Sequence, residues 1–533
     1  MKKILISLFV SAMVMTSAGC DYIDNAVSSI KEAFSAEQEP NAEENQNAEG
    51  NVSNCINVGV IDFDTFNPLT TESQTVREAM QFVYEPLFTV DENLRTQAVL
   101  AEDYALSPDG RKITINLKQG IKWHDGSDFN AYDAAYTFKA IRNGSTTYTN
   151  SLINVADYRI LDDYQLEITL KAPVLNFVNL LTFPIMKYQT TMNKSSVYTP
   201  VGTGPFKFDG KLSTDKMQFS ANEEYRDGRP AADKAFIVFI PDRDKYCSMF
   251  EASEIDVITS SMVDLTQYMP KGGVTINKFN SNKLIYLGYN LNVPKLSGVE
   301  TRIGLSEFIN KEDIVSSVIY SHGTPVDVPI NPSSYLYCTG RTSFGADEIS
   351  AVDHLKQDKW ELNSSGTYAR NDGGTSQTLN LKLLTDSQSS DKLAAARKIS
   401  EYFKKFGINV TVEAEMTDKY LARIESRDFD MFIGEAQIQS NMDLSSLINP
   451  YTNYFSYRNG DVDTLLAQLG MTANEEEQKL LMSQLAGVLL RDMPFTPLYF
   501  KEDCVLSSSK IKTGIAPSVS TFYRNCASWN QAG

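Results

Sequence analysis

The chain has little of what most catalysis requires. It carries three histidines, His124, His322 and His354, far apart and in different expected elements. It has no His-Glu-x-x-His zinc motif and no Gly-x-Ser-x-Gly nucleophile elbow. Gly204 to Lys211 superficially resembles a phosphate loop, but five residues rather than four separate its glycines, and Leu212 stands where Ser or Thr is needed. The acidic pairs Asp62/Asp64 and Asp461/Asp463 are of a kind common on surfaces and are not assigned as calcium ligands or glycosidase acids. No catalytic residue, metal ligand set or cofactor is therefore expected, and the chain is not read as an enzyme. Positive charge is also short: 49 Lys and Arg against 67 Asp and Glu give a net charge of -18. Nucleic acid and anionic lipid are poor partners for such a surface, because both need clustered Lys and Arg.

Nor is there an apolar run of the ~20 residues needed to cross a bilayer. The longest candidate, Ile4 to Met15, is too short and follows Lys2 and Lys3, the arrangement of a secretory signal. Ser17-Ala18-Gly19-Cys20 comes next. This resembles the bacterial lipoprotein signal, with Ser17 where that pattern usually has Leu, and it implies that Cys20 is lipidated and becomes the mature N-terminus. The alternative is an ordinary signal cut near Ala18. The other five cysteines, Cys55, Cys247, Cys338, Cys504 and Cys526, are odd in number, so at least one stays unpaired. None has Cys-x-x-Cys spacing, and Cys504 with Cys526 is one possible pair.

A length of 533 residues calls for two or three domains. Residues 21–53 hold almost no large apolar side chain after Phe34, and residues 21–50 hold eight acids and one base. Such a stretch cannot offset its ordering entropy and reads as a disordered acidic tether. From Asn54 the pattern changes. Ile56, Val58 and Val60 alternate with Asn57 and Gly59, as in a half-buried strand. Lys112 to Leu117, after the turn Ser107-Pro108-Asp109-Gly110, and Tyr164 to Leu170 alternate likewise and predict antiparallel sheet with one wet face. The C-terminal half has another rhythm. Leu379 to Leu384 reads as a strand, and Asp391 as the N-cap of a helix with the stripe Leu393, Ala396, Ile399, Phe403 and Phe406, ended by Gly407. Ile408 to Val412, Tyr420 to Arg427 and Phe429 to Ile433 continue as strand, helix and strand, which implies a parallel sheet. Ligands bind beyond the carboxyl ends of such strands, here Thr385-Asp386-Ser387 and Gly434-Glu435-Ala436. Asn474 and Glu477 predict a capping box for a last helix that buries Leu481, Leu485 and Val488 and stops before Pro494.

The run Leu117-Lys118-Gln119-Gly120-Ile121-Lys122-Trp123-His124-Asp125-Gly126-Ser127-Asp128-Phe129-Asn130-Ala131-Tyr132-Asp133-Ala134 resembles a signature of the family 5 extracellular solute-binding proteins, which serve peptide, dipeptide and nickel ABC transporters. Its content is structural: Asp125-Gly126 suits a tight turn and Asn130 with Asp133 a helix cap, which makes His124 a turn residue rather than a ligand. Further matches follow in the family's order: Phe66-Asn67-Pro68-Leu69, Val83-Tyr84-Glu85-Pro86-Leu87, Leu100-Ala101-Glu102, Val201-Gly202-Thr203-Gly204-Pro205-Phe206, Asn222 to Gly228, Tyr289-Asn290, Phe403 to Ile408, Asp428-Phe429-Asp430, and Asp492 to Tyr499. The resemblance spans roughly residues 55–525.

It implies an α/β, two-lobed periplasmic-binding-protein-like (type II) fold with an extra subdomain inserted in lobe one. The expected limits are a signal peptide at 1–20, the tether at 21–53, lobe one at 54–289 with the insertion at about 89–195, lobe two at 290–493, and a return to lobe one at 494–533. The implied function is that of a monomeric substrate-binding lipoprotein of an ABC importer. It is held by its lipid on the extracytoplasmic face of the cell membrane, closes on an oligopeptide or similar solute, and hands it to permease subunits. A metal-chelate binder of the same family is the alternative and asks His322 or His354 to face the cleft; a lipoprotein enzyme is third. The ligand-binding candidates are Phe66, Asn67, Tyr84, Tyr289, Asn290, Glu435, Gln437, Gln439, Ser440, Asn441 and Asp443. Peptide-binding members anchor the ligand's amino group with an Asp near the position of Ser440, which carries no charge; either Glu435 substitutes for it or the ligand lacks a free ammonium group.

Overall fold

The computed structural model describes residues 54–530 except 145, 191–197, 214–215, 262–272, 339–342, 373–374, 452 and 513. Cys20 and the 21–53 segment lie outside the described residues. No helix among the described residues is long and apolar enough to cross a membrane.

Alternation in the sequence becomes sheet where it was expected. Cys55–Ile61 buries Ile56, Val58 and Val60 completely and pairs in parallel with Lys234–Ile240. These belong to an eleven-stranded mixed sheet. Its order is Asn409–Glu415, Asn380–Asp386, Met431–Gln437, Val274–Tyr289, Phe495–Ser508, Val257–Ser261, Cys55–Ile61, Lys234–Ile240, Lys216–Ala221 and Phe206–Leu212, with Gly323–Pro325 attached to Phe495–Ser508. The fold is two-lobed. Lobe two holds the parallel set Asn380–Asp386, Asn409–Glu415 and Met431–Gln437, with helices Ser390–Lys405 and Thr417–Ser426 as crossovers.

A two-stranded ribbon, Val274–Tyr289 against Phe495–Ser508, runs through both lobes. One end lies beside Val257–Ser261 and the other beside Met431–Gln437. The register shifts between Asn280 and Leu284, where the ribbon changes neighbours. A bulge bends and twists a strand locally, and this one sits where the ribbon passes from one set of neighbours to the other. Polar groups brace it: the Asn331 amide donates to the carbonyls of Asn280 and Ser281 and to Asn282 Oδ1, and the Ser281 hydroxyl donates to the carbonyl of Lys501. Beyond the break the strand is apolar on both faces. Leu284 and Tyr286 join a core with Phe432, Phe455 and Phe495, while Ile285, Leu287 and Tyr289 join another with Leu383, Ile399 and Phe403. A strand covered on both sides needs this continuous run.

The inserted subdomain is a four-stranded antiparallel sheet ordered Ala101–Leu106, Lys112–Leu117, Gln165–Leu170, Val155–Asp162. Ile113, Ile115, Leu166 and Ile168 are buried in one core with Phe138 and Ile141 of helix Ala131–Asn143. Asn130 and Asp133 form the expected capping box, and the Trp123 indole donates to Asp133 at 3.2 Å.

Three local expectations change. Helix Ser390–Lys405 starts after Ser389, which makes no side-chain cap, and Asp391 is drawn instead to Lys501 at 2.6 Å. Asn474 caps its helix, but Glu477 completes no box, because its carboxylate accepts the Thr472 hydroxyl. Cys504 and Cys526 do not pair: both are free and buried in separate cores.

Candidate functional site

Between the lobes lies a cavity of about 1330 Å³. Lobe one supplies segments 68–89, 147–151, 180–184 and 205–231, the C-terminal 519–530 stretch closes one side, and lobe two supplies Gln437, Ile438, Gln439 and Ser440. Asn282, at the break in the ribbon, lies between them. The volume exceeds the ~300–1,000 Å³ usual for drug-sized ligands.

The segments that carry the family resemblance meet on the lobe-one wall. The Gly204 amide donates to the Val83 carbonyl at 2.9 Å. The Tyr84 hydroxyl shares a hydrogen bond with that of Tyr198 at 2.6 Å and accepts from the Val201 amide. Glu85, nearly buried, accepts from the Thr203 hydroxyl at 2.9 Å, the Tyr225 hydroxyl at 2.9 Å and Arg226 Nη1 at 2.5 Å. Asn222 donates to the Gly204 carbonyl. Residues as far apart as Glu85 and Arg226, 141 positions, thus fasten each other, and Tyr84, Glu85, Tyr225 and Arg226 face the cavity from this knot.

His124 closes the knot, as a turn residue. Its backbone amide donates to the Gly202 carbonyl, its Nδ1 accepts from the Gly202 amide at 3.2 Å, and its Nε2 donates to the Gly204 carbonyl at 3.0 Å. That network assigns the neutral tautomer with the proton on Nε2. Burial, helped by Lys207, lowers its pKa from 6.5 to about 4 despite the Gly204 bond and Asp125. The unfolded chain therefore takes up the proton first as the pH falls. The stabilisation is full above pH 6.5 and is lost as the pH drops to about 4. We expect at most about 3 kcal/mol of pH-dependent loss from this residue. Urea unfolding of wild type and His124→Gln at pH 7 and pH 4.5 checks it: the gap between the two proteins should shrink at the lower pH.

The sequence-derived candidates divide. Tyr84, Gln437, Gln439 and Ser440 line the cavity. Phe66 packs on Phe63 and Phe239, and Asn67 is fully buried in its own turn next to Pro68, which does line the cavity. Tyr289 is buried with its hydroxyl on Thr496, and Asn290 donates to the carbonyls of Arg427 and Phe429. Asn441 donates to the Leu175 carbonyl across the lobes, as the Ser440 hydroxyl does to the Asn179 carbonyl. Asp443 holds the Ser445 turn. Glu435 lies off the cavity wall and shares Lys501, at 2.8 Å, with Asp391. Of the two strand ends, Met431–Gln437 leads into the cavity, whereas Asp386 is buried on Thr417 and Gln388. Sequence reasoning passed over Gln81, Glu78 and Tyr523, since no local motif marks them.

Among the described residues no group of His, Cys, Asp and Glu is arranged to hold a metal ion. His322 and His354 are not on the cavity wall, and His354 is bound to Glu300.

A family model described as "Bacterial extracellular solute-binding proteins, family 5 Middle" matches residues 95–458. The oligopeptide-binding protein AppA of Bacillus subtilis is 24% identical over 473 residues, 82% of this chain and 84% of its own length. Its structure with a nonapeptide has a TM-score of 0.62 and 20% identity, covering 90% of this chain and all of that one. The glutathione-binding protein GsiB of Salmonella typhi is 24% identical over 85% of this chain and 90% of its own. A nickel ABC transporter structure from Bacillus halodurans has a TM-score of 0.76 at 20% identity, covering 90% and 100% of the two chains.

Proposed function

Because the chain belongs to the bacterial extracellular solute-binding proteins, family 5, we propose that it captures a peptide or peptide-like solute for an ABC importer by closing its lobes on it. The observation that carries this reading is the pair of amide side chains, Gln437 and Gln439, that lobe two presents to a large interlobe cavity. Strand Met431–Gln437 pairs with Asn380–Asp386 only at Met431 and Phe432; beyond them the Ile433 carbonyl accepts the Tyr420 hydroxyl at 2.7 Å, and the strand's last residue, Gln437, reaches the cavity. The Gln437 and Gln439 amides, at the end of the strand and two residues past it, reach the cavity with no partner among the described residues. Amides of this kind suit peptide carbonyls and N–H groups.

The family consists of transport binding proteins and not of enzymes, which agrees with release of an unaltered ligand to a permease. We place the lobes at 54–289 with 494–533 and at 290–493, joined through the ribbon Val274–Tyr289 and Phe495–Ser508. A lipid on Cys20 and the 21–53 tether are part of the same reading, set the protein at the extracytoplasmic membrane face, and rest on the sequence alone. The oligopeptide and glutathione relatives favour a peptide-like ligand over a metal chelate, as does the absence of histidine from the cavity wall among the described residues.

Native mass spectrometry of the purified protein tests the reading: peptide masses should dissociate from it unchanged, and a chemically altered product would overturn it. Gln437→Ala with Gln439→Ala should weaken peptide binding about tenfold or more while leaving the melting temperature unchanged, because each lost hydrogen bond is worth about 1 kcal/mol. Calorimetric titration with the released peptide measures this.

A further inference from the structure

We propose that Glu78, with Tyr523 beside it, forms a cation-accepting subsite in the lobe-one wall of the cleft that takes an ammonium or guanidinium group of the ligand. The proposal rests on the peptide reading above and supplies the charge that Ser440 lacks and that Glu435, off the cavity wall, does not bring to it.

Glu78 lies on helix Gln74–Ala79, is 5% exposed, and lines the cavity. Its carboxylate oxygens accept from neutral donors, Gln74 Nε2 at 2.8 Å and the Thr259 hydroxyl. Among the described residues no cation forms an ion pair with it, and Arg77 acts on it only through its field. Arg77, its neighbour on the helix, turns its guanidinium to the carbonyls of Thr71 and Glu72. From strand Phe495–Ser508, Asp503 adds a second negative charge, and Lys283 is engaged by Asp503 at 3.2 Å. Tyr246 reaches the group from helix Arg243–Glu251 with its hydroxyl on the Thr259 amide. Tyr523, also on the cavity wall and 1% exposed, feels the field of Glu78 and has a hydroxyl without a hydrogen-bond partner. Burial raises Glu78 to about 7 even against its hydrogen bonds and the field of Arg77, so the free protein holds a proton there at mildly acidic pH. A ligand cation supplies the missing charge, and its N–H groups give the Glu78 and Tyr523 oxygens donors. Binding then expels the proton from Glu78.

Two sources carry this chemistry: the peptide's own terminus and a Lys or Arg side chain. Calorimetric titration of wild type and Glu78→Gln with penta-alanine, its N-acetylated form, and N-acetylated Ala-Ala-Lys-Ala-Ala separates them. If the terminus is bound, acetylation weakens wild-type binding about tenfold or more and barely affects Glu78→Gln. If a side chain is bound, the lysine peptide gains about tenfold over acetylated penta-alanine in wild type and loses that gain in the variant. In either case, affinity of the preferred peptide should rise about tenfold from pH 5.5 to pH 7 in wild type as Glu78 ionises, and stay flat in Glu78→Gln. Equal affinities and equal pH profiles in the two proteins, with their melting temperatures matched, overturn the subsite and leave the peptide reading intact. Failure of wild type to bind any of the three peptides overturns the peptide reading and the subsite with it.

Discussion

Gly202→Ala should yield no stably folded protein, although it adds one methyl group. A Cβ at position 202 would lie 1.8 Å from the Val83 carbonyl oxygen and 2.6 Å from its carbon. Neither backbone can retreat. The Val83 carbonyl is tied to the Gly204 amide, the Gly202 amide donates to His124, and the Gly202 carbonyl accepts from the His124 amide. Relief requires breaking the knot that holds Tyr84 and Glu85 at the cavity. The cost belongs with the largest single-residue effects, above about 4–5 kcal/mol. Gly487→Ala is the control. It is exposed within helix Glu475–Asp492 and a Cβ there meets nothing within 4 Å, so it should stabilise by about 0.5–1 kcal/mol. Urea unfolding of both, set against wild type, measures the difference. A Gly202→Ala protein with wild-type stability would contradict the packing described here.

That knot also shows why some of the molecule is legible in one dimension and some is not. Period-two alternation is a local property, so Cys55–Ile61, Lys112–Leu117 and Gln165–Leu170 could be read from their own residues. The Asn130–Asp133 box is equally local. Asp391 has the local marks of a cap, but its partner Lys501 lies 110 positions away, out of reach of any local pattern. Phe66, Asn67, Tyr289 and Asn290 belong to segments that resemble the family's, yet here they pack or brace backbone while their neighbours, such as Pro68, meet the cavity. Resemblance located the segments; only the fold decides which side of each faces the cleft. Glu78 and Tyr523 come together from positions 445 residues apart, with no spacing to announce them.

Glu85→Ala should destabilise the protein by about 3–5 kcal/mol and weaken ligand binding as well. The carboxylate is 6% exposed and is the shared acceptor for Thr203, Tyr225 and Arg226. Without it the Arg226 guanidinium, whose side chain is 18% exposed and whose Nε already lacks a partner, keeps Asp227 at 3.3 Å as its ion pair. Asp227 is 65% exposed and screened by solvent, so it offsets little of the stranded charge. The loss measures an uncompensated buried charge rather than the net worth of the pair, and this has a consequence that can be checked. Glu85→Leu combined with Arg226→Met removes both charges and should be less damaging than Glu85→Ala alone. The exposed pair Lys356–Asp353 provides the contrast: Asp353→Ala should cost less than about 1 kcal/mol. Urea unfolding of the four proteins gives the ranking, with Glu85→Ala lowest. If Glu85→Ala instead unfolds at the same urea concentration as Asp353→Ala, the carboxylate is not the keystone of the lobe-one wall. Ligand titration of the double variant adds a second reading, since Glu85 and Arg226 both face the cavity: stability restored without affinity would assign the pair to the ligand as well as to the fold.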